Sequence, residues 1–94
     1  MKLGSFHNEL TEKLMDTIVN LKTKSDCYDF FEDVCTIKEI IDMSKRLEAA
    51  KLLNKGLSYK EVIDKIGLST ATLSRVSKAL NYGTGGYKKA ITKK

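Results

Sequence analysis

Apolar residues recur at Phe6, Leu10, Leu14, Ile18 and Leu21, in steps of four and three. That spacing places them on one face of an α-helix, and Met15 and Val19 widen the face. The pattern predicts a helix over residues 6–21. Its apolar face is larger than a lone chain of 94 residues readily buries, so a helix–helix interface within or between chains is its natural sink. A polar break at Thr23, Lys24 and Ser25 follows, where Ser25 or Asp26 can cap the next helix. Cys27, Phe30, Phe31 and Val34 then repeat at three and four, which predicts a short helix with an aromatic core face.

The third segment opens on Thr36-Ile37-Lys38-Glu39, the pattern of a capping box, in which hydroxyl and carboxylate each serve a backbone donor of the first turn. Ile37, Ile40, Ile41, Met43, Leu47, Ala50 and Leu52 or Leu53 continue the helix to about Asn54. Gly56 is placed to end it in the left-handed conformation. Lys45, Arg46 and Lys51 lie on the other face, interleaved with Asp42 and Glu48.

A second capping box, Ser58-Tyr59-Lys60-Glu61, starts a short helix with Val62, Ile63 and Ile66 inside and Gly67 at its end. Leu68 plugs the turn, and Ser69 or Thr70 caps a further helix over residues 70–80. Ala71, Leu73, Val76 and Leu80, with Ala79, form the expected inner face. Thr70, Thr72, Ser74, Arg75 and Lys78 are left outside. Two short helices joined at a glycine are the ingredients of a helix-turn-helix at residues 58–80. Short hydroxyl side chains let a helix enter the major groove, where threonine methyls and hydroxyls can meet base edges. Lys60, Lys65 and Lys78 are placed to meet phosphates.

Charge strengthens this picture. Residues 1–34 carry four Lys/Arg against seven Asp/Glu, a net −3, and residues 35–94 carry thirteen against five, a net +8. A basic half on an acidic half suits a polyanion-binding head on a structural base, and it also suits an ordinary solvated surface. Cys27 and Cys35 lack metal-ligand spacing, and His7 is the one histidine, so no metal site is expected and both thiols are read as half-buried and reduced. No apolar run approaches the roughly 20 residues that span a bilayer, and no signal peptide is apparent. The expected location is cytoplasmic, with no membrane partner. No nucleophile with a base and no paired carboxylates suggest an enzyme.

Ser69-Thr-Ala-Thr-Leu-Ser-Arg75 and Leu80-Asn-Tyr-Gly-Thr-Gly-Gly-Tyr87 closely resemble the YerC/YecD family of Trp-repressor-related proteins, as do Phe30-Phe-Glu-Asp-Val-Cys-Thr-Ile37 and Arg46-Leu-Glu-Ala-Ala50. The resemblance runs from about Leu10 to Lys88. It implies an all-α fold like that of Trp repressor: a single domain over residues 1–94 and an intertwined homodimer with a helix-turn-helix in each chain. Residues 5–54 would then supply the dimerisation helices, and residues 81–94 a glycine-rich turn and basic tail. It also implies transcriptional regulation. Ala71, Thr72 and Arg75 match the repressor's recognition-helix pattern, and the DNA-contacting set becomes Lys60, Ser69, Thr70, Ala71, Thr72, Ser74, Arg75 and Lys78. Arg46 and Arg75 match two arginines that hold the tryptophan corepressor, and Thr36 matches a pocket threonine. The glycine that leaves room for the indole is Val76 here, and a pocket serine is Ala79. No cofactor is therefore expected, and tryptophan least of all. Arg46 and Arg75 either hold phosphates or another small ligand, or form ion pairs with Asp42, Glu48 or a partner chain. The glycines at 83, 85 and 86 form either a helix cap and turn or a phosphate cradle. Lys88, Lys89, Lys93 and Lys94 either follow the DNA backbone or fray in solvent.

The leading expectation is a homodimeric, sequence-specific DNA-binding regulator, in the sense of a repressor, whose partners are double-stranded DNA and a second copy of itself. The alternative is a protein-interaction adaptor that reuses the helical fold without reading DNA.

Overall fold

The structure is a computed structural model that describes residues 7–92. Every regular element among them is a helix: α1 (Glu9–Val19), α2 (Lys24–Val34), α3 (Ile37–Asn54), α4 (Tyr59–Ile66), α5 (Thr70–Tyr82) and α6 (Gly86–Thr92). The all-α expectation holds. The chain forms two compact units, one ending at Thr36 and one starting at Ile37.

In the first unit, α1 begins later than the apolar spacing suggests. Asn8 accepts from the Thr11 N–H at 3.0 Å and donates its own N–H to Thr11 Oγ1 at 2.9 Å, a reciprocal cap that sets the start at Glu9. Phe6 lies outside the described residues. The helix stops at Asn20, and Leu21 folds back with its N–H on the Ile18 carbonyl. For α2 the cap is Thr23 and not Ser25 or Asp26: Thr23 Oγ1 accepts from the Asp26 N–H at 3.0 Å. With this cap the Asp26 carboxylate lies in the first turn, where the helix dipole favours negative charge. Phe30 and Phe31 meet edge to face with ring centroids 5.3 Å apart. Cys27 and Cys35 are half-buried free thiols. Neither α1 nor α2 has a fully buried residue.

The second unit has a true core. α3 packs on α4, α5 and α6, and α5 packs on α4 and α6. Ala49 and Ala50 of α3, Val62 of α4 and Leu73, Val76 and Leu80 of α5 are buried. The two alanines matter sterically, because side chains this small let neighbouring helices come close to α3. Leu73, Val62 and Val76 are the largest fully buried side chains, each worth about 1.5–3 kcal/mol of transfer free energy. Leu52, Leu53, Leu57, Ile63, Ile66 and Leu68 close around them. The apolar positions of the first half of α3 are different: Ile37, Ile41, Met43 and Leu47 remain exposed.

The end of α3 follows from Gly56. With φ +99°, it lets the Leu57 N–H reach the Leu52 carbonyl (3.2 Å) and its own N–H reach that of Leu53 (3.0 Å). That is a Schellman pair, and it delivers the chain to Ser58 two residues later.

The tail departs from expectation. Residues 86–92 form α6, where a frayed, solvated tail was one reading, and Tyr87 and Ile91 pack against the core. Lys93 and Lys94 lie outside the described residues.

Candidate nucleic-acid interface

Two helices and a three-residue turn make up the candidate site. Ser58 starts α4: its hydroxyl accepts from the Glu61 N–H at 3.2 Å, while the Ser58 N–H donates to Glu61 Oε1 at 2.8 Å. Those bonds with Ser58, through its backbone first, hold the Glu61 carboxyl below its ordinary range, and Lys65 adds to the effect. Gly67 ends α4 at φ +80°, with its N–H on the Ile63 carbonyl. No other atom lies within 4 Å of where its Cβ would be. The backbone conformation, not crowding, therefore asks for glycine here. Leu68 is half-buried against the core, and Ser69 caps α5 by accepting from the Thr72 N–H at 3.1 Å.

The caps fix the rotation of α5. Leu73, Val76 and Leu80 face inward. Thr70, Ala71, Ser74, Arg75 and Lys78 are exposed, and Asn81 and Tyr82 extend the same strip in steps of three and four. Ala71, which the apolar pattern put inside and the resemblance put among the DNA contacts, stands outside, because it lies two residues and hence about 200° round the helix from Leu73. Ala79 is also exposed; it sits at the edge of the inner stripe and lines an apolar groove of about 400 Å³ with Leu47, Gly83 and Tyr87. Thr72 is half-buried, with its Oγ1 3.0 Å from Ser69 Oγ.

From Lys65 to the end of the chain there are seven Lys/Arg and no Asp or Glu. The exposed strip of α5 therefore presents hydroxyls and cations with no carboxylate of its own. Lys60 is different: its ammonium lies 3.2 Å from Asp64 on the same helix face, and both are exposed. An exposed pair of this kind contributes little to stability, but it offsets part of the charge that Lys60 offers to a phosphate.

The two arginines with an expected ligand role stand apart in their surroundings. Arg46 lines a polar groove of about 250 Å³ with Lys38, Asp42, Lys45, Ser69 and Thr72, and Arg75 is not part of its wall. An Arg46–Asp42 ion pair, one of the alternatives open from sequence, is not made: Asp42 bonds Lys38 at 2.9 Å. That bond holds the Asp42 carboxyl below its ordinary range, and the charges of Arg46 and Lys45 lower it further. The two lysines of this groove were not singled out as site residues from sequence. Their seven-residue spacing, two turns of one helix face, was the signal available. Val76, which replaces the glycine expected to admit an indole, is 2% exposed and part of the core.

Among the described residues there is no cluster of His, Cys, Asp and Glu that could hold a metal ion. No helix among them is long and apolar enough to cross a membrane.

Known proteins are similar to this chain. The uncharacterized protein YerC of Bacillus subtilis (strain 168) is 40% identical over 91 residues, covering 97% of this chain and 88% of its own. The crystal structure of a TrpR-like protein from Eubacterium eligens ATCC 27750 superposes with a TM-score of 0.85 at 47% identity, over 88% of this chain and 86% of that one. That of a proposed Trp repressor from Staphylococcus aureus superposes with a TM-score of 0.90 at 35% identity, over 97% and 91%. Residues 9–94 match the profile of the Trp repressor protein family, and the chain, an all-α protein with the Trp-repressor fold, belongs to that family.

Proposed function

We propose that this protein is a sequence-specific DNA-binding transcriptional regulator, a repressor, that acts as a homodimer through the helix-turn-helix of α4 and α5. One observation carries the reading. α5 follows a left-handed glycine and a serine cap, and its exposed strip holds Thr70, Ala71, Ser74, Arg75 and Lys78 with no carboxylate. A helix of that surface can enter the major groove without electrostatic penalty, and its small side chains let the backbone approach the bases. Ser74 and Thr70 are suited to base edges, while Arg75 and Lys78 are suited to guanine or phosphate. Membership of the Trp repressor family supports the same role.

We infer that tryptophan is not its signal, since the resemblance puts Val76 where the repressor has the glycine that admits the indole. Val76 fills the position where a flat ring needs space, and its side chain is locked in the core. Titration calorimetry with L-tryptophan should show no saturable heat.

The reading is tested by selecting sites from random duplex DNA and repeating the binding at several salt concentrations. Ser74→Ala should relax base preference. Lys78→Gln should weaken all sequences alike and lower the salt slope by about 0.9 for each phosphate it no longer neutralises. Lys78 is a cleaner probe than Lys60, whose charge Asp64 already offsets. Absence of site enrichment, with binding indifferent to salt, would sink the proposal and favour a protein-interaction adaptor.

A further inference from the structure

The exposed strip of α5 ends on an aromatic residue. At about 100° per residue, Arg75, Lys78 and Tyr82 fall within about 60° of one another round the helix, and Tyr82 stands about 10 Å beyond Arg75 along its axis. Tyr82 is 85% exposed, and among the described residues no hydrogen bond or ring contact engages it. The residues beside it are committed elsewhere. Leu80 is buried in the core, and the Asn81 amide donates to the Ser77 carbonyl at 3.0 Å. The Gly83 N–H closes the last turn on the Ala79 carbonyl at 3.0 Å. The backbone at Tyr82 is thus held in place while the side chain stands in water. An exposed tyrosine keeps both its apolar ring and its hydroxyl for a partner.

We propose that Tyr82 is a positioning residue for DNA, whose phenol hydroxyl donates to a backbone phosphate at the rim of the major groove. The proposal rests on the DNA-binding reading above and carries the interface one turn beyond Lys78. A recognition helix sets its N-terminal residues on base edges. From Thr70 to Tyr82, α5 runs about 18 Å at 1.5 Å per residue, further than the groove is wide at about 12 Å. Its last turn therefore reaches the phosphates that wall the groove. A tyrosine hydroxyl is among the side-chain donors that bond phosphate oxygens and fix register without reading bases. It differs from Lys78 in one measurable respect: it carries no charge, so its contact releases no counterion.

The test uses the full chain with Tyr82→Phe and Tyr82→Ala, and Tyr28→Phe as a control at an exposed tyrosine of α2. Urea midpoints should match the parent in all three, since each side chain is exposed. Affinity for the selected duplex is measured by fluorescence anisotropy across a salt series. The measurement is repeated on duplexes that carry a single methylphosphonate at successive positions. Tyr82→Phe should weaken binding about tenfold, as expected for loss of a hydrogen bond to a charged group, with the salt slope unchanged and Tyr28→Phe at parent affinity. One methylphosphonate position should cost the parent affinity and cost Tyr82→Phe almost none. Parent affinity in Tyr82→Phe overturns the contact, whether or not Tyr82→Ala binds more weakly. A loss spread evenly over every methylphosphonate position, or one that alters base preference, overturns it as well. If the unmodified protein binds no duplex, the DNA-binding reading fails and takes this contact with it; salt-dependent binding by the parent beside an unaffected Tyr82→Phe removes the contact alone.

Discussion

Glu61 shows how much one residue can hold at this site. Its carboxylate receives the Ser58 N–H at 2.8 Å and starts the first helix of the pair. Its pKa is lowered from the ordinary 4.5 by that backbone bond first. A carboxyl depressed on folding stabilises the fold fully above its unfolded value and loses that contribution as pH falls through its folded value. The window for Glu61 therefore opens below about 4.5. Glu61→Gln keeps an acceptor for Ser58 but removes the titration. Urea midpoints measured at pH 6 and again in the acid range should fall less in the variant than in the parent; equal falls would show that the pair does not govern acid stability. This bond was legible in the sequence because both partners lie within one turn. Gly67 was legible for the same reason, and Ser69 as one of two candidates with Thr70. Thr23 was not: Thr23, Ser25 and Asp26 can all cap, and local pattern alone does not say which oxygen finds a free N–H.

At the scale of elements, the sequence showed helix ends better than helix surroundings. Both boundaries of α3 were readable from Thr36 and Gly56, yet the burial of Ala49 and the exposure of Ile37 depend on what packs against α3 and leave no local trace. α6 was missed altogether. Seven residues make too short a helix to persist alone, and glycines precede and open it, so it read as a turn and tail. Tyr87 and Ile91 stand four apart and dock on the core, and tertiary packing does what propensity cannot. Gly83 belongs to the same design: a Cβ there would run into the carbonyl of Ala79, which accepts the Gly83 N–H at the end of α5. Ile91→Ala should cost about 1–2 kcal/mol, less than the 2–5 kcal/mol of a fully buried isoleucine, because Ile91 is half-buried. Lys89→Ala, on an exposed position, should change stability by no more than about 0.5 kcal/mol. Chemical denaturation of the two variants compares them directly, and equal stabilities would mean that α6 contributes nothing to the core.

For the whole molecule, the charge changes sign where the compact units part. The chain up to Thr36 carries the net −3 and the rest carries the +8, and the break between compact units falls at that residue. The charge asymmetry was legible at once; the ownership of the apolar surface was not. Leu10 is 76% exposed and Val19 81%, with Leu14 and Met15 also open on α1 and Ile37, Ile41, Met43 and Leu47 open on α3. Single exposed apolar side chains are ordinary, but α1 and the first half of α3 each carry a set, and each set marks an interaction surface. A second copy is the partner we propose, since each copy brings an acidic unit and a basic one and opposite charges favour such a pairing. If the folded state is the dimer, unfolding is coupled to dissociation, and a tenfold dilution should lower the apparent stability by about 1.4 kcal/mol per dimer. Sedimentation equilibrium should give twice the chain mass, and Leu14→Lys should shift it toward one chain while lowering the melting temperature. A melting midpoint that stays constant over a wide range of concentration, with the mass of one chain, would rule out the homodimer and leave each helix-turn-helix to bind a half-site alone.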